Sequence, residues 1–193
     1  MPDPSSNGAD RINSFALVSY IPGVLGTFLD DLRRRLEPNS LCPRSHITIL
    51  PPRELAPGVN PDQAWQELEP KLRAVQPFPV ELGPPEIFET TNVVYFALRQ
   101  GAADLHRLHS HLSNGCLKCE ERFGYHPHVT IAQRLSPEQA VSIRQLAHDI
   151  WEHQYRGPRG YVVDSVSFVQ NSSRDIWYDL AGFSLLDAAS ARR

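Results

Sequence analysis

Two stretches of this 193-residue chain carry one four-residue pattern: His46-Ile47-Thr48-Ile49 and His128-Val129-Thr130-Ile131, 82 residues apart. Imidazole titrates near pH 6.5, so one histidine can take a proton while the other gives one. A threonine hydroxyl can donate to the non-bridging oxygens of a phosphate, where charge builds in the transition state. Two of each in one cleft make a set suited to phosphodiester chemistry, in which side chains supply the proton transfers and no metal is required. One such triplet at a strand end would be ordinary. With eight histidines in the chain, composition gives about 0.2 His-x-Thr triplets. Two with apolar second and fourth residues should arise in fewer than about one chain in a thousand, by the alternation expected of a strand.

Side chains alternate along a strand, so each histidine and its threonine share one face. Ile47, Ile49, Val129 and Ile131 then point into a core. The flanking segments repeat as well. A strand from Phe15 to Ile21 is matched by one from Val93 to Leu98. The helix opened by Asn60-Pro61 is matched by that opened by Ser136-Pro137-Glu138-Gln139, a capping box with proline at its first position. Strands near Val80 and Val162 form the third pair. Amphipathic helices are expected over Val24–Glu37 and Ala102–Leu112, with Pro51-Pro52 stopping the first motif strand after Leu50 and Pro38-Asn39 ending the first helix. The repetition predicts an α+β fold of duplicated strand–helix units, forming two lobes related by a pseudo-two-fold axis around a central groove. The expected division is a disordered stretch over 1–13, one bilobal domain over 14–186 with lobes near 14–90 and 91–186, and a tail over 187–193.

With these paired motifs about 80 residues apart, Pro127 before the second and a closing pair of strands carrying Tyr178, the chain resembles the 2H phosphoesterase superfamily over roughly residues 14–186. That group includes the 2′-5′ RNA ligases and cyclic nucleotide phosphodiesterases. The resemblance implies a bilobal fold and metal-independent opening of 2′,3′-cyclic phosphates, generally to a 2′-phosphate. In some members it also implies reversible 2′-5′ joining of RNA ends. It implies that His46 and His128 are the acid–base pair and that Thr48 and Thr130 hold the phosphate. Many RNA-ligase-like members have a basic residue directly after the alanine of the second motif; here that place is Gln133, and Arg134, a further candidate for a substrate contact, follows on the opposite side of the strand.

Further candidates surround the motifs. Phe123 and Tyr125 precede the second and could stack on a base, while Arg53 follows the first and could reach a flanking phosphate. His106, His109, His111, Cys116 and Cys119 crowd into fourteen residues, and Cys-x-x-Cys has zinc spacing. The cysteines lack a clean second ligand pair, so neither metal nor cofactor is expected. The net charge of −3 and a pI near 6.2 disfavour a sequence-blind grip on long nucleic acid. A small nucleotide or an RNA 3′ end is the expected partner, for a monomer with no membrane association. No apolar run long enough to span a bilayer and no signal-peptide pattern are seen, and three cysteines make no disulfide framework, which points to the cytoplasm. The competing reading is a non-catalytic sensor whose groove holds an AMP-like ligand.

Overall fold

The computed structural model describes residues 10–37 and 44–185. The expected disorder of residues 1–9, the helix stop at Pro38-Asn39 and the tail over 187–193 lie outside them. Twelve elements follow in order: β1 (Arg11–Tyr20), α1 (Gly23–Leu36), β2 (His46–Arg53), α2 (Pro61–Leu72), β3 (Phe78–Phe88), β4 (Val93–Gln100), α3 (Ala102–Leu112), β5 (Val129–Ala132), α4 (Pro137–Asp149), β6 (Gly160–Val163), β7 (Ser165–Ser172) and β8 (Trp177–Ser184). A short 3₁₀ turn sits at Gly115–Leu117, and a π turn over Ile150–Gln154 prolongs α4.

The strands form two antiparallel four-stranded sheets, ordered β2-β1-β7-β8 and β5-β4-β3-β6. β1 corresponds to β4 and β2 to β5. The counterpart of β3 is β7, because β3 lies beside β4 as β7 lies beside β1. Each sheet therefore takes its third strand from the other half of the chain. This corrects the lobe boundary expected near residue 90 and the pairing of Val80 with Val162; β6 is the edge neighbour of β3. The helices cross over too, α1 packing against β5 and α3 against β2. The main apolar core among the described residues runs from Leu25, Leu29 and Leu32 of α1 through Ile47 and Ile131 to Leu105, Leu108 and Leu112 of α3, beside a small cluster of Ala16, Val18 and Val169. Burying such a face supplies most of a helix's stability in a folded protein.

Local chemistry fixes the ends. Asn60 and Ser136 both close full capping boxes, with Gln63 and Gln139 answering from the first turn and proline at the helix start. Gly26 must lack a side chain, since a Cβ there would lie 1.9 Å from the Ile21 carbonyl oxygen. Three boundaries differ from expectation. β1 begins at Arg11, and its first three residues are exposed and polar or solitary in their apolarity, so they carry no hydrophobic alternation to read. β2 continues through Pro51-Pro52 to Arg53 because it is an edge strand, where a missing N–H costs no ladder bond. β3 likewise runs through Pro84-Pro85, beyond the Phe78–Glu81 segment that pairs with β6. Among the described residues, no helix is long and apolar enough to cross a membrane.

Candidate active site

Both motif strands, β2 and β5, are sheet edges, and they approach each other at the centre of the molecule. Ile47, Ile49, Val129 and Ile131 are fully buried, while His46, Thr48, His128 and Thr130 are half-buried. Each strand breaks its alternation at the same place. Val18 pairs with Thr48 and Leu17 with Leu50, so Ile49 is an extra residue; Tyr95 pairs with Thr130 and Val94 with Ala132, so Ile131 is its counterpart. These are β-bulges, devices that bend a strand and re-aim its side chains beside functional sites. The shared His/Thr face ends at the bulge on both strands.

The two imidazoles are held alike. Nδ1 of His46 lies 2.7 Å from the carbonyl oxygen of Arg44, and Nδ1 of His128 lies 2.6 Å from that of His126. In both cases a ring N–H donates to the carbonyl two residues earlier, so the proton sits on Nδ1 and Nε2 is left for chemistry. Tyr20 meets His46 edge-on at 6.2 Å, and its hydroxyl donates to Asp179 at 2.6 Å. His128 meets the rings of Phe88 and Tyr95 edge-on at 4.9 and 5.3 Å. Asp30 of α1 accepts from the backbone N–H of Ser45 at 2.7 Å, fixing the chain one residue before His46.

Burial pushes the His46 pKa down to about 4, helped by the positive charge of Arg33 and by His128, and opposed by the Arg44 carbonyl and Asp30. Burial also lowers that of His128, with His126 adding to the effect and its carbonyl opposing it. Both imidazoles are thus neutral at pH 7 in the free protein. An unfolded chain takes up the His46 proton near pH 6.5 and the folded one only near 4. That group therefore makes folding stability fall as pH drops from 6.5 towards 4.

A groove of about 630 Å³ opens beside the strands. Its lining includes Thr48, Arg53, Phe123, Tyr125 and His128 from the expected set, together with Phe88, Thr90, Thr91 and His126. His46, Thr130 and Arg134 are outside that lining. Phe123 is 55% exposed at the rim, with the Arg122 guanidinium 5.2 Å from its ring centre. Arg134 has a left-handed backbone (φ 60°) and pairs with Asp175 at 2.8 Å.

Arg53 is corrected from a phosphate contact to a buried strut. It donates to the carbonyls of Pro51 and Leu117, to the Ser113 hydroxyl and to Glu121 at 2.6 Å, and its side chain is 1% exposed. Removing one member of a buried pair leaves the other uncompensated, at a cost of about 3–5 kcal/mol. Arg53→Ala is expected to lose stability on that scale in urea unfolding; a loss below about 1 kcal/mol would show that the network around Glu121 is dispensable.

The cysteine–histidine cluster disperses. His109 Nδ1 donates to the Ile49 carbonyl at 2.8 Å and its ring stacks on Tyr125 at 4.0 Å. His106 meets Tyr125 edge-on, His111 reaches the Lys71 carbonyl, and the backbone N–H of Cys116 donates to Glu67. Cys119 is exposed at the groove. Among the described residues, no three His, Cys, Asp or Glu side chains converge as a metal would need.

Sequence reasoning missed Tyr20, Asp30, Phe88, Thr90, Thr91, Tyr95, His126 and Asp179. One signal was available: Arg44 and His126 hold the same place two residues before the two histidines. The others come from separate elements that only the fold brings together.

The interleaved two-lobe fold with its central paired strands is that of the 2H phosphoesterases. The chain belongs to the 2′-5′ RNA ligase superfamily, whose family model matches residues 21–175. A Bacillus cytotoxicus protein named "Putative phosphoesterase" is 31% identical over 58% of this chain and 64% of its own, so the match spans just under two thirds of that relative. A Halalkalibacterium halodurans protein of the same name is 27% identical over 61% of this chain and 71% of its own. Among solved structures, TT0787 of Thermus thermophilus superposes with a TM-score of 0.62 at 17% identity, covering 89% of this chain and 97% of that one. Escherichia coli LigT complexed with 3′-AMP gives 0.58 at 17% identity, over 91% and 97%. At that identity the likeness is one of fold.

Proposed function

We propose that the protein opens 2′,3′-cyclic phosphates of nucleotides or RNA 3′ ends by two-histidine acid–base catalysis. The observation that carries this is the matched pair of imidazoles on facing edge strands, each fixed through Nδ1 and each two residues before a hydroxyl. Nε2 of one histidine takes a proton from water as its oxygen attacks phosphorus. Nε2–H of the other gives a proton to the ribose oxygen that leaves, and the product is a monophosphate, by the family resemblance the 2′-phosphate. Thr48 and Thr130 donate to the non-bridging oxygens as charge builds on them. The same step with the 5′-hydroxyl of a second strand in place of water forms a P–O5′ bond as the 3′ oxygen leaves, joining the ends by a 2′-5′ bond; run backwards, that step cleaves the bond and closes the cyclic phosphate, with the two histidines exchanging roles. A groove of 630 Å³ suits a mononucleotide or the last units of a strand, and LigT has been crystallised with 3′-AMP and with ATP.

The free enzyme must hold one imidazole protonated and one neutral. Because burial lowers both pKa values, the singly protonated pair is most populated below pH 6.5. The profile of kcat/KM against pH for 2′,3′-cyclic AMP should be bell-shaped with its maximum below 6.5, falling about tenfold per unit on the alkaline side. A bound anion favours imidazolium, so the kcat profile should lie at higher pH. A kcat/KM flat from pH 7 to 9 would contradict the two-histidine reading. Tight binding of AMP with no turnover of any cyclic phosphate would favour the sensor instead.

A further inference from the structure

We infer that Tyr125 and His109 are positioning residues that aim the Thr48 hydroxyl by clamping the bulge behind it; this rests on Thr48 being the phosphate-holding group proposed above. β2 is an edge strand, and at the extra residue Ile49 it loses register with β1. A bulged edge lacks the ladder that would otherwise fix its backbone. Two side chains from the other half of the sequence take its carbonyl oxygens. The Tyr125 hydroxyl donates to Thr48 at 2.9 Å and His109 Nδ1 donates to Ile49 at 2.8 Å.

The clamp is itself rigid. The two rings stack face to face, 4.0 Å apart and 5° from parallel. His109 Nε2 lies 3.4 Å from Glu121, which the buried Arg53 holds at 2.6 Å. A chain of contacts thus runs from Arg53 of β2 through Glu121 and α3 back to Thr48 of β2. The Thr48 peptide is tied to the wall of the groove that its own side chain lines. Tyr125 also lines the groove, but one ring face is covered by His109 and its hydroxyl is spent on the backbone. Its part is therefore to hold Thr48, and base stacking falls to the exposed Phe123.

Tyr125→Phe keeps the ring and its stacking and deletes one hydrogen bond. Kinetics on 2′,3′-cyclic AMP with EDTA should show kcat reduced about tenfold and KM within about twofold, because a misaimed donor weakens the transition state more than ground-state binding. In a Thr48→Val background the same substitution should have no further effect, since a positioning residue acts only through the group it positions. His109→Leu should behave likewise, and is the second variant should the first change little in fold. Independently of turnover, NMR of threonine methyls should show the Thr48 χ1 rotamer fixed in the wild type and averaged in Tyr125→Phe, with Thr130 as internal control. A Thr48 rotamer unchanged in both variants, or additive losses with Thr48→Val, would overturn the inference. If Thr48 loosens as expected while the wild type opens no cyclic phosphate, the clamp stands and the proposed reaction falls.

Discussion

His46→Ala and His128→Ala should each lower kcat/KM on 2′,3′-cyclic AMP by about 10²–10⁴-fold, the contribution of a general acid or base. The double variant should be little worse than the more damaged single one, because acid and base act in one concerted displacement and removing either disables both. Neither substitution should unfold the protein. Both side chains are half-buried, His46 at the start of β2 and His128 one residue before β5, and the core residues beside them, Ile47 and Val129, remain in place. Losing a buried imidazole also removes a group that opposes folding in acid. His46→Ala should therefore be less sensitive to acid than the wild type between pH 6.5 and 4. Steady-state kinetics and urea unfolding at pH 7 and pH 5 read both effects. A single variant with wild-type turnover would show that its histidine serves only the strand.

Thr48→Val and Thr130→Val should each cost about 10²–10³-fold in kcat, the scale of removing one donor from a developing oxyanion. Valine matches threonine in shape and suits a strand, so the change isolates the hydroxyl. Among the described residues neither hydroxyl makes a hydrogen bond within the protein, which leaves both free to meet a phosphate. The losses should appear in kcat more than KM, because the charge they meet grows along the reaction. Equal losses in kcat/KM through KM alone would mean that the threonines bind the ground state and do not favour the transition state.

The central strands and their motifs were legible because each His-x-Thr-x run meets two demands at once, chemistry on one face and core on the other. The alternation of Ile47, Ile49, Val129 and Ile131 states both. The helices were legible from their caps, with Asn60-Pro61 and Ser136-Pro137 marking their starts. What stayed hidden was long-range. That β7 of the second half sits beside β1, and β3 beside β4, leaves no trace in local pattern, so the lobes looked sequential when they are interleaved. The prolines of β2 were misleading because edge position, not composition, decides whether proline stops a strand. Arg53 looked like a free loop cation because its partners Ser113, Leu117 and Glu121 lie 60 or more residues away. His109 was given no role for the same reason: its neighbours, the Ile49 carbonyl and Tyr125, come from elsewhere in the chain.

The most direct test of the central claim is a metal-free assay of the purified protein, with EDTA present, on 2′,3′-cyclic AMP and on a short RNA ending in a 2′,3′-cyclic phosphate, resolving 2′- from 3′-monophosphate products. The two-histidine account predicts turnover undiminished by the chelator and a single regioisomer, the 2′-phosphate, with the rate lowered at least about a hundredfold in His46→Ala and in His128→Ala. Absence of turnover on both substrates by a folded wild-type protein, or turnover undiminished by loss of either histidine, would contradict it.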